Sequence, residues 1–398
     1  MTPKNSWNYY PTLLGLSIGH FCIDFMIGVW PVFKTLEGLD LAIAGLIYAF
    51  CSVTGEGLQI VFGQLSDKGF RKWLIITGLA LVGSSTLFAF TERYAILFLL
   101  FFLVCLGSGA FHPAAVGLTS RLSLRKKSFC ITHFAAFGVM GFAFSQMVYT
   151  QVYEAFNGNT LILLIPLALV GLMFLIPQMT RMPERPGRPP SPPSFKKFME
   201  FFKDKDLKNL YRSQMTSQII MWTTIFMLPD ILKFRAFPDW IVYGGGHFFY
   251  MLGGVCLLIP SGIIADRFSS RSVILVASLV AMILLYSFLL IPQISEMAVV
   301  SLLFAYGAAL GVVSPVSVAL GHKISTEHPG MISAFLMGGV WCIAEFVGPG
   351  GAGLLSKLFE EDAAARALMV IGIFFPLSIW YAFKLPAEVA EETALDVE

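Results

Sequence analysis

Apolar residues form runs of about 20 residues, the length that a helix needs to cross a bilayer, and these runs recur from residue 10 to residue 384. Polar or charged turns separate them. The pattern predicts twelve spans, at 10–33, 39–64, 73–91, 95–119, 128–152, 160–178, 209–232, 241–264, 272–292, 296–320, 330–355 and 365–384. We therefore expect an all-α integral membrane protein.

Composition supports the same class. Of the 398 residues, 56% are hydrophobic and 13% are charged, whereas about a quarter of the residues in soluble domains are charged. This composition excludes a soluble enzyme. The formal net charge of +2 is too small to indicate a nucleic-acid partner. The lipid bilayer is the expected surrounding of the chain.

One long polar segment, 179–208, separates the sixth span from the seventh. It divides the chain into an N-terminal six-helix half at 1–178 and a C-terminal six-helix half at 209–398. The segment opens with a Pro-rich stretch at 181–193, which cannot form a helix.

Apolar and basic residues then alternate at helical spacing within the same segment. Four lysines lie opposite a set of apolar residues: Phe195, Phe198, Met199 and Phe202. This pattern is typical of an amphipathic helix on an anionic membrane surface. The alternative is a solvated linker.

The distribution of basic residues predicts the orientation. With both termini in the cytoplasm, 21 of the 27 Lys and Arg lie in cytoplasmic segments. The other six lie outside: Lys34, Arg93, Lys233, Arg235, Lys357 and Arg366. This asymmetry follows the positive-inside rule. It also leaves no Lys or Arg in the core of any predicted span.

A short motif occurs twice, at corresponding places in the two halves. Gly63, Asp67 and Lys68, with Arg71 close behind, join the second span to the third; Gly262, Asp266 and Arg267 join the eighth to the ninth. The two aspartates are 199 residues apart, half the chain. Glycine permits close helix approach, and the carboxylate can pair with loop cations, so we expect a gate at this end of the helices.

These motifs resemble those of major facilitator superfamily transporters over essentially the whole chain. Three further stretches resemble the fosmidomycin-resistance-like branch: Gly19-His20-Phe21 with Asp24, Leu58-Gln59, and Phe111-His112-Pro113. The resemblance implies the major facilitator fold, alternating access and proton-driven export. The better-known members are bacterial efflux carriers, so it also implies a bacterial cytoplasmic (inner) membrane.

A few ionisable side chains fall inside predicted spans, where a charge costs at least about 2.5 kcal/mol. They are His20, Asp24, Glu56, His112, His133, His247 and Glu345. Proton coupling requires a carboxylate that binds and releases a proton, and histidine can relay one. Asp24, Glu56 and Glu345 are the candidate coupling groups, and His20 and His112 the candidate relays. Each is alternatively a hydrogen-bond partner in helix packing.

Two further residues are candidates for the lining of a substrate cavity. Gln59 belongs to the resemblance just described, and Trp341 lies away from the membrane interfaces. Aromatic residues at helical spacing are more often packing residues, which is the alternative for Trp341. His20 and Asp24 have metal-ligand spacing, but no third ligand lies nearby in sequence, so the sequence predicts no metal site and no cofactor.

The leading functional hypothesis is a monomeric secondary active transporter that exports a small molecule, a drug or a metabolite, against inward proton flow. A symporter or facilitator that imports a metabolite or an anion is the second. A receptor or assembly subunit that has lost transport is the third. The membrane-embedded Asp24, Glu56 and Glu345 argue against the third hypothesis, because a protein without transport has no need for them.

Overall fold

The computed structural model describes residues 9–123, 126–180, 195–291, 293–325 and 329–387. Within these ranges every regular element is a helix, and no strand occurs. The predicted fold class is confirmed: the chain is an all-α membrane protein. The Pro-rich stretch at 181–193 lies outside the described residues.

Twelve helical segments correspond to the predicted spans. Their bounds are α1 Tyr10–Leu36, α2 Leu41–Leu65, α3 Arg71–Val82 continued by Gly83–Phe90, α4 Tyr94–Thr119, α5 Lys127–Ala155, α6 Leu161–Met173, α7 Lys205–Phe234, α8 Ile241–Cys256 continued by Leu258–Arg267, α9 Ser270–Leu290, α10 Glu296–Ile324, α11 Met331–Ser356 and α12 Ala363–Phe383.

Length and apolarity identify most of these spans directly. In the described ranges, nine helices are long and apolar enough to cross a membrane. One of them, Leu41–Phe90, has 50 residues and contains both α2 and α3. The chain turns between them at Gly69, whose φ of +101° is rarely adopted by other residues. The bent α8 and the shorter α6 complete the twelve.

Contacts divide the chain into two compact units. The first comprises Met1–Ser191 with Pro238–Phe248, and the second comprises Pro192–Phe237 with Phe249–Glu398. The first unit thus includes the beginning of α8, which the sequence had assigned to the second half. The reason is local: the Nε2 of His247 donates a hydrogen bond to the carbonyl oxygen of Phe142 in α5, at 2.9 Å.

Small residues allow the helices of the first unit to pack closely. A Cβ at Gly107 of α4 would lie 2.7 Å from the carbonyl oxygen of Gly78 in α3, and a Cβ at Gly78 would lie 2.8 Å from that of Gly107. No side chain fits there. Backbone approach of this kind is a main source of helix association in membranes, and here it fixes α4 against α3.

Within the linker, a short helix runs over Phe195–Glu200, followed by a 3₁₀ turn at Phe201–Lys203. Its aromatic side packs against protein. The rings of Phe198 and Phe202 lie 5.2 and 4.9 Å from that of Phe335 in α11. These two side chains therefore have partners within the second unit instead of facing a membrane surface, because α11 presents an aromatic residue at this end.

Lys34 differs from its predicted position outside the spans. The sequence pattern ended the first span at residue 33, but α1 continues to Leu36 and the Lys34 side chain is fully buried. Its Nζ donates to the Thr35 hydroxyl at 3.2 Å. A charged residue ends the apolar run in the sequence, but it does not end the helix. The backbone hydrogen bonds continue past Lys34, since the Glu37 N–H donates to the Phe33 carbonyl at 3.0 Å.

Candidate functional site

Three of the predicted site residues meet inside the first unit. His20 and Asp24 lie one turn apart on α1, and His112 lies on α4. The Nε2 atoms of the two histidines are 3.1 Å apart. Oδ2 of Asp24 lies 3.2 Å from His20 Nε2, and Oδ1 of Asp24 lies 3.3 Å from His112 Nε2. We call these three residues the triad.

Backbone carbonyls fix the orientation of both imidazole rings. His20 Nδ1 lies 2.8 Å from the carbonyl oxygen of Phe134 in α5, and His112 Nδ1 lies 2.9 Å from that of Ser108. A carbonyl oxygen can only accept, so each Nδ1 carries the hydrogen and donates it. Each Nε2 of a neutral ring then presents a lone pair to the other and to Asp24.

The triad is enclosed on one side by α5 and stays partly open on the other. A Cβ at Gly138 of α5 would lie 2.5 Å from His20 Nε2 and 2.6 Å from Asp24 Oδ2, so only glycine leaves room for these groups. The side chains of His20, Asp24 and His112 are 10%, 21% and 23% exposed. A small ion can therefore reach them from the open side.

A positive charge between the three groups would stabilise this arrangement. Two imidazole lone pairs and a carboxylate converge within hydrogen-bond distance, and none of the three is a donor when the rings are neutral. Like-signed partial charges at 3.1–3.3 Å repel one another. A cation between the three groups, either a proton or a metal ion, satisfies them.

Glu56 and Gln59 form a second polar pair in the same unit. Gln59 Nε2 donates to Glu56 Oε2 at 2.8 Å, one turn along α2. The carboxylate is also within range of electrostatic interaction with His112 and Asp24. In the described part of the chain, no Lys or Arg forms an ion pair with Glu56. Glu56, Gln59 and the triad thus all belong to the first unit.

Trp341 and Glu345 lie on α11, in the second unit. Glu345 is buried, with 7% of its surface exposed. Trp341 is partly buried, and its Nε1 has no hydrogen-bond partner within the described ranges. Both side chains thus belong to a unit different from that of the triad.

In the second unit, a contact between α7 and α10 involves uncharged polar side chains. Gln214 of α7 donates to the hydroxyl of Ser314 in α10 at 3.0 Å. Ser314 precedes Pro315 as His112 precedes Pro113. The position that corresponds to His112 in the repeat is therefore occupied by a serine, which does not ionise.

The aspartates of the repeated motif, Asp67 and Asp266, for which we predict a gating role, each form an ion pair with a more distant helix of the same unit. Asp67 Oδ1 lies 3.8 Å from Arg121 Nη2, just after α4, and Asp266 Oδ1 lies 2.9 Å from Lys323 Nζ in the last turn of α10. Successive helices run in opposite directions, so the C-terminal ends of α4 and α10 lie on the same side of the membrane as the α2–α3 and α8–α9 links. The sequence pattern revealed the two aspartates but not the two cations.

The other gate residues differ in their surroundings. Lys68 and Arg267 are exposed, whereas Arg71 is buried, with 8% of its surface exposed. A Cβ at Gly63 would lie 3.7 Å from the Pro113 side chain, and one at Gly262 would meet no described atom within 4 Å. We expected Gly63 and Gly262 to permit close helix approach. Within each unit, however, no described neighbouring atom is close enough to require a glycine at either position.

These observations define a class of protein. The described ranges contain twelve helical segments that match the predicted spans, the sequence has an internal repeat, and the first unit contains a largely buried ionisable cluster. That combination is the architecture of a secondary transporter. The chain belongs to the Major Facilitator Superfamily, whose family model matches residues 12–349. It is a transporter and not an enzyme. No curated protein sequence matches the chain.

Solved transporter structures share the fold. A bacterial homolog of the human lysosomal transporter Spinster, in an inward-facing and occupied conformation, aligns with a TM-score of 0.78 and 13% identity, over 94% of this chain and 97% of that one. A mutant of the nucleoside transporter NupG aligns with a TM-score of 0.73 and 16% identity, over 94% and 98%. At these identities the likeness establishes the fold alone.

Proposed function

We propose that the chain exports a small molecule by alternating access and that inward proton flow drives the export. The observation that carries the proposal is the carboxylate of Glu56, which lies in a membrane span. Its hydrogen bond comes from the neutral amide of Gln59. A carboxylate in a membrane span without a Lys or Arg partner is costly when ionised, so a bound proton offsets that cost.

Glu345 is the corresponding candidate in the second unit, since it is a buried carboxylate in α11. A carrier of this type needs a group that exchanges protons with both sides of the membrane as the cycle proceeds. Asp24 differs from Glu56 because two imidazoles contact it directly.

The resemblance in α1, α2 and α4 supports membership of the fosmidomycin-resistance-like branch. It favours export over import, a bacterial inner membrane and a monomer. Fosmidomycin is therefore the first probe substrate, and a nucleoside is the second because of the structural likeness to a nucleoside transporter.

The test compares two transport modes in proteoliposomes. Counterflow exchanges labelled for unlabelled substrate without net proton movement, whereas accumulation requires a pH gradient. We expect Glu56→Gln to retain counterflow and to lose gradient-driven accumulation, since glutamine mimics the protonated acid. Glu345→Gln is measured in parallel. Glu154→Gln is the matched control, because Glu154 is exposed at the end of α5 and should retain both activities.

Two results would contradict the proposal. Accumulation that is unchanged in both Glu56→Gln and Glu345→Gln would exclude these carboxylates as coupling groups. Transport by the wild-type protein that ignores the pH gradient would indicate a facilitator.

A further inference from the structure

The triad has the composition of a metal-binding site: His20 and Asp24 have metal-ligand spacing in the sequence, and the fold adds His112 as a third ligand. Two imidazoles and one carboxylate each offer a ligand atom, and these atoms all lie within 4.8 Å of one another. Two histidines with one carboxylate are a common ligand set for divalent transition metals in proteins.

The distances fit such an ion. Zn²⁺ binds nitrogen and oxygen ligands at about 2.0–2.1 Å, so ligands at the corners of a tetrahedron stand about 3.3 Å apart. In the triad, the Nε2 atoms are 3.1 Å apart, and the carboxylate oxygens lie 3.2 and 3.3 Å from them. Each of these two distances involves a different oxygen of Asp24, Oδ2 to His20 and Oδ1 to His112, and one ligand atom from each residue lies within 4.8 Å of the others.

The second layer of contacts fits as well. Metal-binding histidines usually donate their other N–H to a carbonyl or carboxylate, which fixes the tautomer and aims the lone pair at the metal. Both triad histidines do this: His20 donates to Phe134 and His112 donates to Ser108. Helix contacts on α4 and α5 therefore hold both Nε2 lone pairs in the direction that a metal requires.

The site also has a way in and an unused coordination position. The triad supplies three ligands, and the 21–23% exposure of Asp24 and His112 leaves the fourth corner open to water. Gly138 closes the opposite side, since a side chain there would overlap the ligand atoms. An ion that enters from the open side meets all three ligands at once.

We propose that His20, Asp24 and His112 bind one divalent transition-metal ion, which joins α1 to α4 inside the first unit. The nitrogen-rich ligand set selects ions such as Zn²⁺, Co²⁺ and Ni²⁺ over Mg²⁺ and Ca²⁺, which prefer oxygen ligands. This site is additional to the proposed transport cycle and does not depend on it.

The test is isothermal titration of ZnCl₂ into untagged, chelator-treated protein in detergent. We expect one Zn²⁺ per chain and no binding of Mg²⁺ under the same conditions. His112→Ala and Asp24→Ala should each weaken Zn²⁺ binding at least about tenfold, because each removes a ligand. His133→Ala is the matched control and should bind as the wild type does, since its ring contacts Ser17 instead of the triad.

A second measurement does not depend on any variant folding. Co²⁺ added to the wild-type protein should give visible absorption bands of a four-coordinate ion, and Zn²⁺ should abolish them. Absence of Zn²⁺ binding to the wild type would overturn the proposal and leave a shared proton as the cation between the rings. Equal Zn²⁺ affinity in wild type and His112→Ala would overturn it too. Neither result bears on gradient-driven transport, so failure here is distinguishable from failure of the proposed function.

Discussion

The rings of His20 and His112 meet edge to face with their Nε2 atoms 3.1 Å apart, although 92 residues separate them in the chain. Each ring donates its Nδ1–H to a backbone carbonyl. The contact therefore joins α1 to α4 through two side chains whose tautomers are already set. Asp24 completes the contact from the same face of α1 as His20.

We expect Gly138→Ala to disrupt the triad. The new methyl group would lie 2.6 Å from Asp24 Oδ2 and 2.5 Å from His20 Nε2, and overpacking of this kind typically costs about 1–3 kcal/mol. Thermal unfolding in detergent measures the loss of stability.

Gly117→Ala is the control for this substitution. No described atom lies within 4 Å of a Cβ at that position in α4. Alanine in a helix is about 0.5–1 kcal/mol more favourable than glycine. The control should therefore be neutral or slightly stabilising, and a Gly138 variant as stable as this control would contradict the packing argument.

The ion pair between Asp266 and Lys323 should affect transport more than stability. Asp266 is 73% exposed and Lys323 45% exposed, and surface pairs contribute at most about 1 kcal/mol. Asp266→Lys should slow the initial rate of transport through loss of the gate contact. The double variant Asp266→Lys with Lys323→Asp restores the opposite charges and should recover part of the rate. No recovery would argue against a role for this pair in the gate.

A similar expectation holds for Asp67 and Arg121, which are 3.8 Å apart. Asp67→Ala should slow transport while substrate binding persists, because the residue lies in the short link between α2 and α3 and not among the membrane-embedded groups. Equilibrium binding of the probe substrate tests this directly. Abolished binding in a correctly folded variant would place Asp67 in the substrate site.

Arg235 should be important for the stability of the second unit. Its guanidinium donates to the carbonyls of Phe288 and Leu289 at 2.6 and 2.7 Å and lies 3.4 Å from Asp362. Removing it leaves these acceptors unpaired at the end of α9, so Arg235→Ala should cost about 2–3 kcal/mol.

Unfolding in a denaturing detergent measures how much Arg235→Ala lowers the free energy of unfolding. Arg366→Ala is the control. Arg366 is 50% exposed and lies 3.8 Å from the exposed Glu361, so its loss should change the stability by less than about 1 kcal/mol. Lysine at position 235 should rescue little, because an ammonium cannot reproduce the planar fork of donors.

Accessibility of engineered cysteines tests the predicted orientation. All six native cysteines are free and can be replaced to give a background without thiols. With both termini in the cytoplasm, Lys203→Cys should react only from the cytoplasmic side and Asn157→Cys only from the outside. The opposite pattern would reverse the topology.

The sequence determined the spans because burial in lipid requires about 20 consecutive apolar residues, a property of each segment by itself. It also placed His20 and Asp24 on one face of α1, since residues four apart in a helix are neighbours. The gate aspartates were readable for a similar reason, as each belongs to a short motif repeated in the second half. These are local features, and a linear pattern records them.

The triad depended on the tertiary structure. His112 was identifiable as an ionisable residue before a proline, but its contact with His20 requires α1 and α4 to pack in one register. Gly138 is recognisable in the sequence as a glycine suited to close helix packing. Only the structure shows that His20 and Asp24 of α1 occupy the space that a side chain at this position would need. Arg121 and Lys323 were likewise hidden among ordinary basic residues. Contacts between helices arise from shape complementarity over many side chains, and no single stretch of sequence contains that information.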